Sequence, residues 1–241
     1  MSAQANQGGQ GVARPEVQPY KPSLFYEPQA IVTVKVEGQT FKVHKKILVT
    51  NSEYFEKALN GPFLEAQTQT IDLEDDVKKD DFGLYVDTLY RWYFAKNFHP
   101  GDAPLNQRFG TLHVALHFWM LSDRFLNIHM RDTTAEWLKG FILSFTVPNW
   151  KSWYDTTPPF VPSATLNLWV LRFQLGFNDC QTYTLPFTEM IVQAAANMPP
   201  ELFSSVHDML EPEFRSAVTK KFIRRFVDPK LERPPERAQM P

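Results

Sequence analysis

The sequence predicts an α+β fold, a small β-sheet covered by a helical cluster and followed by an all-helical extension. Three observations carry this. Between Ile31 and Val43, β-branched residues flank a Glu37-Gly38 turn, which is a hairpin signal. From Ile47 onward, apolar residues recur mostly at helical intervals. Strand-like segments end at Leu73, whereas helical ones continue to about residue 227.

Residues 1–29 are rich in Gln, Gly, Ala and Pro, and hold too few large apolar groups to offset the entropy of ordering. They are read as a disordered tail. Order begins at Ile31-Val32-Thr33-Val34-Lys35-Val36 and returns through Thr40-Phe41-Lys42-Val43. Ile47, Leu48, Phe55 and Leu59 then follow helical spacing, with Ser52 placed to cap a helix from Glu53 and Gly61-Pro62 to stop it. A brief third strand is expected around Thr70 to Leu73. From about Asp80, the positions Phe82, Tyr85, Val86, Leu89 and Tyr93 define a long amphipathic helix, followed by the loop NFHPGDAP.

Over residues 111–126 there are two apolar stripes, Leu112, Leu116, Trp119 and Val114, Phe118, Leu121, Phe125, so this helix is expected to be buried. A further helix is expected over about 130–143. Four prolines mark 144–163 as a linker. Its aromatic residues Trp150, Trp153, Tyr154 and Phe160 are read as staples onto the core. Helices resume over about 164–175, with Gly176 at the C′ position, and continue over 187–197, 200–210 and 212–227. Pro212 suits the first turn of the last one. There Phe214, Val218, Phe222 and Phe226 form one stripe, with Lys220, Lys221, Arg224 and Arg225 on a solvated basic face. The resulting division is a tail (1–29), a mixed domain (30–143), a linker (144–163), a helical extension (164–228) and a second disordered tail (229–241).

The chain has 241 residues, a net charge of −2 and 43% hydrophobic residues, enough for a sizeable core. The near-neutral balance argues against electrostatic binding to nucleic acid. No apolar run reaches the length of a membrane span, and the first residues lack the apolar region of a secretory signal. A single cysteine, Cys180, excludes an internal disulfide framework and fits a reducing, cytoplasmic or nuclear setting. Cys180 carries no nucleophile signature and is read as a buried thiol. His113 and His117 are spaced for one helix face, but Val114 stands where a zincin places its catalytic glutamate, and no third ligand is apparent. Glycine-rich phosphate or dinucleotide loops are absent. The expectation is therefore a non-enzymatic chain with no catalytic, cofactor or metal residues.

One constellation is more specific. It comprises Val43-His44-Lys45 with Leu48 and Ser52, Tyr54-Phe55, Gly61 with Phe63 and Glu65-Ala66, Ile71 with Leu73, and Leu89-Tyr90. It continues in Leu121-Ser122-Asp123-Arg124-Phe125. In this order it resembles the BTB/POZ domain over about residues 30–143, and is most similar to the single-domain BTB proteins of filamentous fungi with a helical tail. The resemblance implies a protein–protein interaction module. It implies structural roles for His44, starting the first helix and bridging backbone groups while largely buried, for the capping residue Ser52, for Phe55 in the core, and for Asp123. Phe63-Leu64-Glu65 fits the hydrophobic–x–glutamate motif of BTB proteins that recruit a cullin-3 ubiquitin ligase. These residues would then face the cullin together with the helices of 80–96 and 111–126. The alternative is a self-associating scaffold, or a transcription- or chromatin-associated protein without cullin. Ala30 and Ile31 replace the acidic residue the family often has before the first strand, although Lys45 is present. The family's Y-T-G after the third helix is also replaced, by YRWYFAKNF. No N-terminal amphipathic helix, kelch repeat, zinc finger or MATH-like domain is visible, so any substrate-reading surface would lie on the helical tail.

Overall fold

A computed structural model describes residues 29–73, 77–98, 112–155 and 164–227. The expected tails, apart from Gln29, and most of the loop after the long helix lie outside the described residues.

Strand β1 (Ile31–Val36) is central in a three-stranded sheet, between β2 (Gln39–His44) and β3 (Thr70–Asp72). It pairs antiparallel with β2, Val32 opposite Val43 and Val34 opposite Phe41, and parallel with β3, Val34 opposite Ile71. Alternation sets which face packs: Val32, Val34 and Val36 are fully buried, whereas Ile31 is exposed. The hairpin turns on two left-handed residues, Glu37 (φ 45°) and Gly38 (φ 73°), the geometry a two-residue connection needs to match strand twist. Glu37 also accepts a 3.0 Å hydrogen bond from the Lys79 N–H at the start of the long helix, tying the turn to it.

Around the sheet lie α1 (Lys45–Asn51), α2 (Glu53–Asn60), α3 (Leu64–Thr68), α4 (Lys79–Phe98), α5 (Leu112–Arg124) and α6 (Ile128–Leu143). Phe125, just after α5, is fully buried and joins them. Its ring centroid lies 4.8 Å from Phe55, 5.2 Å from Tyr85 and 6.1 Å from Phe82. The sequence-based strand and helix positions up to α6 agree with these elements, and α5 is buried on both of its apolar stripes.

Two expectations are corrected beyond α6. The segment read as a linker contains helix α7 (Val147–Asp155). Pro148 is compatible with it because it stands in the first turn, where a missing N–H breaks no helical bond. Trp150 on α7 is fully buried and its indole N–H donates to the Ala194 carbonyl at 2.9 Å. It packs 5.3 Å from Phe145 and 6.2 Å from Phe173, so it staples the C-terminal helices to the core. The side chains of Trp153 and Tyr154, and all of Phe160, lie outside the described residues.

The second correction concerns Gly176. Helix α8 (Ala164–Thr182) does not stop there but passes through it. A Cβ at this position would lie 2.7 Å from Leu112 Cδ2 and 3.3 Å from Leu116 Cδ1. The glycine is present for a close helix crossing of α5 and α8, not for a left-handed cap. The remaining helices are α9 (Thr188–Ala196), α10 (Pro200–Val206), a short 3₁₀ turn and α11 (Pro212–Val227). Phe214 and Val218 are buried, Phe222 stacks on Phe203 at 4.5 Å, and Arg225 donates to the Ala196 and Met198 carbonyls at the end of α9. Lys221 pairs with Glu189. α11 is thus a docked helix; the Phe226 side chain lies outside the described residues. One continuous apolar core runs from the sheet to α11. Among the described residues, no helix is long and apolar enough to cross a membrane.

Candidate functional site

The corner between α2 and β3 exposes apolar surface. Among residues with described side chains, Phe63 is the only exposed aromatic, at 53%, and Leu64 beside it is 68% exposed. Glu65 is half-buried on the first turn of α3.

Local chemistry holds this corner in place. Gly61 ends α2 with its N–H bonded to the Lys57 carbonyl at 2.8 Å, and an added Cβ would come within 2.4 Å of that oxygen and 3.1 Å of the Phe63 ring. Only a residue without a Cβ lets the chain leave the helix this tightly. Lys45 Nζ donates to the Leu59 carbonyl at 2.9 Å, placing a cation at the negative end of α2. Lys45 is therefore spent inside the molecule and is not presented to a groove. Gln69, left-handed at φ 48°, donates its side-chain amide to the Ala66 carbonyl at 2.6 Å and closes α3. Three backbone carbonyls, of Lys57, Leu59 and Ala66, are thus satisfied within the corner itself.

The other sequence-highlighted residues occupy structural positions around it. Ser52 Oγ accepts the Phe55 N–H at 3.1 Å, capping α2, and donates to the Phe125 carbonyl at 2.5 Å. Phe55 is fully buried. His44 precedes α1 and is half-buried rather than largely buried. It engages the Tyr90 hydroxyl of α4, its backbone N–H donating at 3.0 Å and its Nδ1 lying 2.6 Å away. Asp123 is exposed and accepts from Arg131 at 3.3 Å. Cys180 is buried, and burial pushes its thiol up to about 12, so it is not a thiolate near neutral pH.

A second polar cluster lies where α5 meets α8, and sequence reasoning saw only half of it. His117 is 3% exposed and sits between two carboxylates, its Nδ1 2.8 Å from Asp81 of α4 and its Nε2 3.3 Å from Asp179 of α8. Asp179 also meets His113 Nδ1 at 2.7 Å, and the two imidazoles lie 4.2 Å apart. Burial acts to lower the His117 pKa, but hydrogen bonds and charge from Asp179 and Asp81 outweigh it and raise the group to about 9. Asp179 moves the other way and is lowered: burial opposes ionisation, and its bonds to His117 and His113 prevail. The third group able to ligate beside His113 and His117 is Asp179. No local signal could reveal it, because it lies 66 residues from His113.

Residues 29–106 match the family model of the BTB/POZ domain. No curated protein matches the chain. The match takes in the whole sheet and α1 to α4, and ends before α5. The chain therefore carries a BTB/POZ domain with a small three-stranded sheet and helices, followed by further helices, and such a domain is a protein–protein interaction module.

Proposed function

We propose that this BTB/POZ domain works as an adaptor, binding a cullin-3-type ubiquitin ligase scaffold through the Phe63-Leu64-Glu65 corner. The observation that carries the reading is the pairing of an exposed Phe and an exposed Leu, with Glu65 adjacent, on a hydrogen-bonded corner. Burying what remains exposed of Phe63 and Leu64 supplies roughly 1–2 kcal/mol each. Glu65 adds charge complementarity and register rather than bulk affinity. Partner capture by a mostly pre-formed surface needs no catalytic group, in keeping with a non-enzymatic role.

The test is a binding titration of purified cullin-3 against the wild-type chain and against Phe63→Ala combined with Glu65→Ala. The wild type is expected to bind, and the double variant to lose affinity roughly tenfold or more while keeping its melting temperature, since Phe63 is more than half exposed. Equal binding by both proteins removes the role from this corner, and no binding by either removes the cullin reading. Further exposed apolar residues, Leu126, Ile128 and Leu143, support a second reading as a self-associating scaffold. Light scattering at micromolar concentration separates the two: a strict monomer that binds cullin counts against the scaffold.

A further inference from the structure

We propose that His113, His117 and Asp179 form a binding site for one divalent transition-metal ion of the zinc type, bridging α5 and α8. His113 Nδ1, His117 Nε2 and the Asp179 carboxylate offer three ligand atoms that all lie within 4.8 Å of one another. Four donors around zinc at its usual bond lengths lie about 3.3 Å apart, and His117 Nε2 already stands 3.3 Å from Asp179 Oδ1. Two imidazoles and one carboxylate from two helices leave a fourth position for water, since the His113 side chain is 46% exposed.

The independent observation is the setting of His117. Its other nitrogen, Nδ1, is held by Asp81 of α4 at 2.8 Å. A carboxylate behind a ligating histidine fixes the ring and directs the Nε2 lone pair toward the ion, and such an outer partner contributes strongly to metal affinity. Here Nε2 lies 3.3 Å from Asp179 Oδ1, and an ion binding there would take the place of the proton this nitrogen carries near neutral pH. Tyr183 closes the site with its ring edge-on to His117 at 5.5 Å. Val114, in the place of a zincin glutamate, supplies no general base, so the ion is assigned a stapling task and not catalysis. It would cross-link the helix following the BTB/POZ match to the C-terminal extension at the same crossing that Gly176 allows.

The experiment is a zinc titration of chelator-stripped, desalted full-length protein at pH 7.5, by calorimetry, with the melting temperature measured alongside. The expected result is one equivalent bound with a dissociation constant in the micromolar range or below and a higher melting temperature with zinc. His113→Ala, at a half-exposed position that leaves the core intact, is expected to weaken binding at least tenfold. Asp81→Asn, which touches no ion, is expected to weaken it by about 10–100-fold. His207→Ala, remote from the cluster, leaves affinity unchanged. Cobalt(II) in place of zinc is expected to give the visible absorption of a four-coordinate nitrogen–oxygen site. Absence of stoichiometric zinc binding overturns the proposal and leaves an ion-pair network only, and so does zinc binding that His113→Ala does not alter.

Discussion

Replacing Gly176 by alanine tests the crossing of α5 and α8 through the sign of its effect. In an open helix this exchange stabilises by about 1 kcal/mol, because alanine loses less backbone entropy. At this crossing the new Cβ would lie 2.7 Å from Leu112 Cδ2, 3.1 Å from Leu112 Cγ and 3.3 Å from Leu116 Cδ1. Leu112 and Leu116 are themselves fully packed, at 1% and 0% exposure, so neither can swing aside without displacing other core atoms. Overpacking of this kind costs about 1–3 kcal/mol, and together with separation of the helices it outweighs the propensity gain. We expect a net loss of about 1 kcal/mol or more, hence a melting temperature lower by roughly 2–4 °C for each kcal/mol in a chain of this size. The assay is urea unfolding followed by tryptophan fluorescence, run also in a Leu112→Ala background. There the two nearest obstructing atoms are gone and only Leu116 Cδ1 at 3.3 Å remains, so Gly176→Ala is expected to lose most of its cost or to stabilise. Stabilisation by Gly176→Ala in the wild-type background would refute the close-crossing argument.

Other consequences follow from the same geometry. Ser52→Ala removes the α2 cap and the donor to the buried Phe125 carbonyl, and is expected to lower unfolding stability by about 2–3 kcal/mol in denaturant titrations. Gly61→Ala forces the chain away from the Lys57 carbonyl and the Phe63 ring; it is expected to weaken both the fold and partner capture, whereas Phe63→Ala weakens capture alone. For His117, the folded-state pKa of about 9 lies above the unfolded value of 6.5, so its contribution is complete below pH 6.5 and disappears as pH rises through 9. With chelator present, stability should fall by about 3 kcal/mol across that interval relative to His117→Gln; parallel profiles for the two proteins would contradict it.

Much of the BTB/POZ part was legible because its signals are local. The period-2 valines of β1, the Glu37-Gly38 turn, the Ser52 cap and the Gly61 stop each act over a few residues, and each stands in the structure where the pattern puts it. Sequence reasoning failed where one residue type serves two physical ends. Pro148 resembled a linker residue and is a first-turn proline; Gly176 resembled a helix stop and is a contact point between helices. His44 engages the Tyr90 hydroxyl, 46 residues away, a contact that no local pattern announces.

By itself, the sequence determined most elements of the BTB/POZ part and the alternation that turns one sheet face inward, since propensity, capping and periodicity act along a short stretch of chain; it singled out Phe63-Leu64-Glu65 through a family resemblance. Only the tertiary structure decided that α5 and α8 cross closely at Gly176, that Trp150 anchors to Ala194, and that Asp81 and Asp179 close on His117. Those contacts join distant residues, 36 positions apart for Asp81 with His117, 44 for Trp150 with Ala194 and 62 for Asp179 with His117. No local preference encodes such pairings; they form because burying one continuous apolar core brings these helices together and leaves their few polar groups to satisfy one another.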